Sequence, residues 1–114
     1  MSQYILILHE SPGFMKDLSP EQIQGIIQKY KAWSEKLKAT GRWVGGEKLD
    51  ASGRVLRGAG PKTVVKDGPY AETKEIIGGY YLIEAESYDH AIEICKDHPH
   101  LGRGTVEVRE IQKV

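Results

Sequence analysis

The sequence predicts an α+β fold, and three observations lead to this prediction. Residues 4–9 and 76–85 are apolar runs of strand length. Residues 19–41 and 87–99 carry apolar side chains at three- and four-residue spacing, which is typical of amphipathic helices. The order along the chain is strand, helix, strand, short hairpin, strand, helix, strand. This is the ferredoxin-like β-α-β-β-α-β pattern with an inserted hairpin, and the length suits a single domain over residues 1–114.

Both helices carry local boundary signals. Ser19 is predicted to be the N-cap of the first helix, Pro20 suits its first position, and Gln22 completes a capping box. The apolar stripe that follows consists of Ile23, Ile26, Ile27, Tyr30, Trp33 and Leu37. Ser87 is expected to cap the second helix, and Pro99 is expected to end it.

The remaining strands are shorter than the first. Residues 42–49 predict a second strand, residues 54–57 and 62–66 predict the strands of the hairpin, and residues 105–114 predict the last strand. Two helices would then cover one face of an antiparallel sheet and leave the other face open.

The last strand alternates valine with charged residues, which predicts how its side chains divide between the two faces. Val106 and Val108 should face the helices, so Glu107 and Arg109 should lie on the open face. The first strand and the strand over 76–85 are instead apolar on both faces. A monomer rarely exposes that much apolar sheet. We therefore expect a homodimer whose sheets pack face to face, with a partly polar pocket between them.

Bulk composition excludes several function classes. Sixteen Lys and Arg balance sixteen Asp and Glu, so no basic footprint for direct nucleic-acid binding is expected. No apolar run approaches the roughly 20 residues that a membrane helix needs. Cys95 is the single cysteine, which excludes an intramolecular disulfide and a cysteine-based zinc cluster. The N-terminus lacks the pattern of a signal peptide, so a cytoplasmic location is expected.

A nine-residue polar segment follows the hairpin and precedes Gly78-Gly79-Tyr80-Tyr81. It reads Asp67-Gly68-Pro69-Tyr70-Ala71-Glu72-Thr73-Lys74-Glu75. This segment resembles the signature of DGPF-domain proteins, a branch of the YCII-related family, in which Phe stands at the position of Tyr70. Residues 4–8 and 104–109 are similar to the opening and closing strands of that family.

The resemblance implies a dimeric ferredoxin-like α+β barrel. Members of the wider family have been proposed to be enzymes because a histidine and an aspartate lie in a cleft near the dimer interface. DGPF-type proteins also share gene neighbourhoods with alternative sigma factors, which suggests a regulatory link. The first helix of this chain has no histidine, so such a pair would need His9 or a C-terminal histidine.

Two residues are candidates for proton transfer. Asp67 could act as a general base or bind a cation, and its alternative role is that of a turn former, since Asp-Gly-Pro favours a turn. His9 ends an apolar strand, and histidine is a residue type suited to acid–base chemistry at neutral pH. Its alternative role is that of a histidine that leaves the core and meets solvent.

Four residues are candidates for ligand binding. Arg109 could hold a carboxylate or phosphate with its planar guanidinium, or it could pair with Glu107 across a dimer seam. Glu72 could line the rim of a pocket, or it could accept backbone N–H groups within its loop. Tyr70 belongs to the same motif. Neighbouring charges in the motif are otherwise expected to form weak surface ion pairs.

No metal or cofactor is predicted. His98 and His100 are too few for a zinc site, and a charged His98 at the C-terminal end of the second helix is the favoured interpretation. No glycine-rich turn has the pattern of a phosphate loop. A large aromatic set could line a pocket for a planar ligand, although core or interface roles are commoner: Trp33, Trp43, Tyr80 and Tyr81.

The sequence therefore leaves three functions open. The first is a small-molecule site near the dimer interface that performs cofactor-free acid–base chemistry. The second is a non-catalytic module that binds a ligand or a partner and is linked to transcriptional regulation. The third is a purely structural role, in which the motif of residues 67–75 only shapes the dimer.

Overall fold

The computed structural model describes residues 1–68 and 74–114, and its elements follow the predicted order. They are β1 (Ser2–Glu10), α1 (Pro20–Ala39), β2 (Trp43–Lys48), β3 (Gly53–Arg57), a 3-10 turn (Gly60–Lys62), β4 (Val64–Gly68), β5 (Ile76–Ala85), α2 (Tyr88–Cys95) and β6 (Thr105–Glu110).

The described residues form two antiparallel sheets. The larger sheet has the strand order β2-β5-β1-β6, and β3 pairs with β4 in a separate two-stranded sheet. Because β5 lies between β2 and β1, and β1 lies between β5 and β6, the two strands that flank each helix are not neighbours in the sheet. This arrangement is consistent with the ferredoxin-like fold.

Both helices cover the same face of the larger sheet. Alternate side chains of β1 and β5 are buried there against α1 and α2, as the period of two in a strand requires. The core consists of Tyr4, Leu6, Leu8, Trp33, Leu37, Tyr81, Ile83, Ala85, Ala91 and Cys95. Val106 and Val108 pack against this core from β6, in agreement with the predicted alternation.

The predicted helix starts are confirmed. The Ser19 hydroxyl accepts a hydrogen bond from the Gln22 backbone N–H at 3.1 Å, and the Ser19 N–H donates to the Gln22 side chain at 2.8 Å. Ser87 caps α2 by accepting from the His90 N–H. The prediction that α2 extends to Pro99 is wrong, because the helix ends at Cys95 and the next residues form turns of their own.

The open face carries apolar side chains on β1 and β5. Ile5, Ile7 and Leu82 are half-buried, and Ile77 is exposed. The hairpin of β3 and β4 also exposes apolar side chains, namely Leu56, Val64 and Val65. The molecule is correspondingly flat, with extents of 46 × 45 × 18 Å and a radius of gyration of 16.2 Å, compared with roughly 13–14 Å for a compact domain of this length.

Within the described residues, no helix combines the length and the apolar character that crossing a membrane requires.

Candidate functional site

Three predicted site residues lie together on the open face. His9 Nε2 is 2.8 Å from Glu107 Oε1, and Arg109 Nε is 3.8 Å from Glu107 Oε2. The pairing of β1 with β6 produces this cluster, because Ile7 lies opposite Glu107 and Ile5 opposite Arg109. Glu107 therefore binds a histidine and an arginine of its own chain.

A bulge in the β1–β5 pairing helps to place His9. Leu8 pairs with Gly79 and His9 pairs with Ile77, so Gly78 is the extra residue. Bulges of this kind often redirect a side chain. The His9 side chain is 25% exposed and that of Glu107 is 44% exposed. Both groups are thus partly shielded and still within reach of a small molecule.

The carboxylate of Glu107 determines which nitrogen of His9 carries the proton. An ionised carboxylate has no proton to donate and can only accept a hydrogen bond. A neutral His9 therefore donates from Nε2 and keeps its lone pair on Nδ1. That nitrogen is then a base on the open face. The more exposed Arg109 keeps guanidinium N–H groups that can bind an anion.

The structure does not bring Asp67 to this cluster within one chain. Asp67 lies on β4, its side chain is 90% exposed, and it pairs with Arg54 Nε across the hairpin at 3.4 Å. The turn that the aspartate was expected to form, together with Tyr70 and Glu72, falls outside the described residues.

Two buried histidines lie on the helix-covered side of the sheet. His98 is 3% exposed, and its ring lies 4.4 Å from the Trp33 ring and 5.2 Å from the rings of Tyr30 and Tyr81. The backbone N–H of His100 donates to His98 Nδ1 at 3.0 Å. Burial, together with neighbouring His100, lowers the pKa of His98 from 6.5 to about 4. The expectation of a charged His98 at the helix end is therefore wrong, because the ring is desolvated among aromatic side chains.

His98 Nε2 has no hydrogen-bond partner among the described residues. Since Nδ1 accepts from a backbone N–H, the proton of the neutral ring lies on Nε2. The ring that carries this N–H packs against the rings of Trp33, Tyr30 and Tyr81. Weak N–H···π contacts are the interaction that such surroundings offer it.

His100 is fully buried and links a tyrosine to the end of β1. Its Nε2 lies 2.8 Å from the backbone oxygen of His9, and its Nδ1 lies 2.6 Å from the hydroxyl of Tyr30. Sequence reasoning missed this pair. The only available signal was the position of Tyr30 on the apolar stripe of α1, which does not reveal a partner 70 residues away.

A cleft of about 300 Å³ lies next to this pair, between α1 and the end of the sheet. Aromatic side chains form much of its wall, and Gly46, Gly78 and Gly79 form part of its floor. A Cβ at Gly46 would lie 2.8 Å from the Tyr81 ring, and a Cβ at Gly78 would collide with the Glu10 carboxylate. The absence of a side chain at these two positions thus leaves room for the Tyr81 ring and the Glu10 carboxylate.

Burial raises the pKa of the Cys95 thiol to about 12, so it stays protonated and does not serve as a nucleophile at neutral pH. Among residues 1–68 and 74–114, no three His, Cys, Asp or Glu side chains are grouped as metal ligands would be.

Fold and sequence comparisons agree on the class of protein. An antiparallel sheet with two helices on one face defines an α+β protein of ferredoxin-like architecture. The chain belongs to the family of YCII-related domains, whose model matches residues 2–114.

Two known proteins show the likeness in detail. An uncharacterised protein of Rhizobium meliloti is 28% identical over 112 residues, which cover 95% of this chain and 90% of the relative. A solved structure of 5-chloro-2-hydroxyhydroquinone dehydrochlorinase from Burkholderia phenoliruptrix, in complex with 2,5-dihydroxybenzoquinone, matches with a TM-score of 0.51 and 21% identity. That match covers 96% of this chain and 93% of the other, and it shows a shared fold.

Proposed function

We propose that the protein is a homodimer that binds a small molecule between the open faces of its two sheets and transfers a proton without a cofactor. The observation that carries this proposal is the 2.8 Å hydrogen bond between His9 and Glu107, with Arg109 beside the same carboxylate. The carboxylate orients the imidazole and leaves Nδ1 as the base. Arg109 would bind an anionic group of the substrate.

The exposed apolar surface supports the dimer. Ile7 and Leu82 are half-buried on a sheet face that no element of the described chain covers fully, and the hairpin presents three exposed apolar side chains. Two such sheets can bury these groups by packing face to face. We place the chain in the DGPF branch, for which the resemblance of residues 67–75 implies this dimeric barrel.

Asp67 enters the proposal through the dimer. In one chain it lies on the hairpin, which is a separate sheet from β1 and β6. We assign it the second proton-transfer role, with the hairpin of one copy lying over the open face of the other. Tyr70 and Glu72 follow Asp67 in sequence and are assigned to ligand binding in the same place.

Solution mass tests the dimer. Ile7→Arg puts a charge on the open face and is expected to convert a dimer to a monomer in light scattering after gel filtration. Ile92→Arg is the matched control, because Ile92 is an exposed isoleucine of α2. A monomeric wild-type chain at micromolar concentration would refute the dimer.

The proton-transfer site is tested with a compound whose turnover is easy to measure. The substrate named for the fold relative is a reasonable first probe, since its conversion releases chloride. His9→Asn is expected to lower turnover by roughly 10²-fold or more, and His90→Asn on α2 should leave it unchanged. Equal turnover in the two variants would remove His9 from the mechanism.

Ligand binding without turnover would instead support the non-catalytic module that is linked to transcriptional regulation. In that case a broad metabolite screen should find a compound that raises the melting temperature of the wild type and is recovered unchanged. Arg109→Gln should abolish that increase if the ligand is an anion that Arg109 holds.

A further inference from the structure

The cleft between α1 and the sheet lies on the opposite side of the sheet from His9 and Glu107. Its volume of about 300 Å³ is at the lower end of the range for small-molecule sites. An apolar cavity of roughly 150 Å³ already holds a benzene molecule. The cleft therefore has room for one substituted aromatic ring.

The walls of the cleft favour a flat apolar body. Phe14, Tyr30, Trp43 and Tyr81 contribute aromatic surface, and Leu8 and Ile26 contribute aliphatic surface. Aromatic pairs gain roughly 0.5–1.5 kcal/mol beyond the burial of their area. A planar ring suits such walls better than a branched polar molecule does.

The hydrogen bonds of His100 determine what Tyr30 can offer a ligand. A backbone carbonyl only accepts, so His100 Nε2 donates its proton to the His9 oxygen. Nδ1 of the neutral ring must then accept, and the Tyr30 hydroxyl donates to it at 2.6 Å. The proton of Tyr30 is thus engaged, and its oxygen has lone pairs left for accepting a hydrogen bond.

A second acceptor lies in the same cleft. The carboxylate of Glu10 lines the cleft and lies over the backbone at Gly78. Its charge also contributes to raising the pKa of Tyr30, another residue of the cleft lining. Burial is the largest cause of that rise, to about 12, so Tyr30 remains a neutral hydroxyl and acts by hydrogen bonding rather than as a base.

We infer that this cleft is a second small-molecule site, which binds an aromatic ring bearing a hydroxyl group, with that hydroxyl donating a hydrogen bond to Tyr30 Oη. The aromatic walls hold the ring, and Tyr30 and Glu10 are acceptors within a lining that also includes Lys31, Ser34, Glu47 and Lys48. His100 acts as a positioning residue, because it fixes the direction of the Tyr30 hydroxyl. This site does not depend on a second copy of the chain or on the proposed chemistry at His9.

A matched pair of probes tests the requirement for a donor. 4-Ethylphenol has the hydroxyl, and 4-ethylanisole has nearly the same shape with a methyl ether in its place. The probes are titrated into ¹⁵N-labelled protein, and the backbone amides of Gly46, Gly78 and Gly79 report on the cleft. The phenol is expected to shift these amides and to bind about tenfold more tightly than the ether, as the loss of one hydrogen bond predicts.

Three variants complete the test. Tyr30→Phe is expected to remove most of the preference for the phenol. Tyr4→Phe should retain it, because Tyr4 is a buried tyrosine of β1 that does not line the cleft. Ile27→Arg places a long charged side chain at the partly exposed edge of the cleft and should abolish binding of both probes without touching the core.

Equal affinity of the two probes for the wild type would overturn the inference, as would an unchanged preference in Tyr30→Phe. If Tyr30→Phe does not fold, retained binding in Ile27→Arg would overturn it on its own. None of these outcomes bears on the solution mass or on turnover at His9, so the two proposals fail separately.

Discussion

The two faces of the larger sheet carry similar apolar residues but bury them to different extents. Ile83 of β5 is fully buried beneath the helices, whereas its neighbour Leu82 is half-buried on the open face. Likewise Leu6 of β1 is fully buried and Ile5 is not. The helix-covered face therefore accounts for the stability of a single chain, and the open face has apolar surface left for another molecule.

The largest expected effect separates these two faces directly. Ile83→Ala removes a fully buried side chain and should lower the free energy of unfolding by roughly 2–5 kcal/mol. Leu82→Ala should lower the free energy of unfolding by a clearly smaller amount in a dilute, monomeric sample. Urea unfolding at two protein concentrations measures both losses.

The concentration dependence sharpens this comparison. If a second copy covers the open face, the loss from Leu82→Ala should grow with protein concentration, while the loss from Ile83→Ala should not. Equal losses for the two variants in a dilute sample would contradict the distinction between the faces.

The second effect concerns pH and belongs to the helix-covered face. His98 has a folded-state pKa of about 4 and an ordinary value of 6.5, so the folded state favours its neutral form. The stabilisation is complete above pH 6.5 and is lost as the pH falls toward 4. The loss can reach about 3 kcal/mol, from the difference between the two pKa values.

A variant isolates this contribution from that of the carboxylates. His98→Asn keeps an oxygen that can accept from the His100 N–H but no longer titrates. Its stability should fall less steeply between pH 6.5 and 4 than that of the wild type. His90→Asn makes the same change on α2 and should keep the wild-type slope, since His98 is still present. Identical slopes for His98→Asn and the wild type would contradict the assignment.

The sequence predicts the fold well because local signals specify its elements. The capping box at Ser19 and the alternation at Val106 and Val108 depend on residues only two or three positions apart. The same alternation placed Glu107 and Arg109 on one face. The contact of Glu107 with His9 could be anticipated only in part, because it also needs the register of β1 against β6.

The rest depends on contacts between distant parts of the chain. His98 and His100 look like polar residues of a turn, and their burial requires the aromatic stripe of α1 to meet that turn in space. The cleft requires, in addition, α1 and the ends of three strands to come together. No spacing within the sequence encodes these distances.

The smallest expected effect compares the hairpin with the sheet. Asp67 and Arg54 form an exposed pair at 3.4 Å, and such pairs contribute roughly 0–1 kcal/mol. Asp67→Asn and Arg54→Gln should therefore change the stability of a single chain slightly and by similar amounts, and the double variant should add little. A double-mutant cycle from urea unfolding measures the coupling. If Asp67→Asn lowers the free energy of unfolding much more than Arg54→Gln does, and only at high protein concentration, Asp67 contacts a second copy in addition to its contact with Arg54. If the two losses match at every concentration, the hairpin pair is local, and Asp67 has no role at the interface.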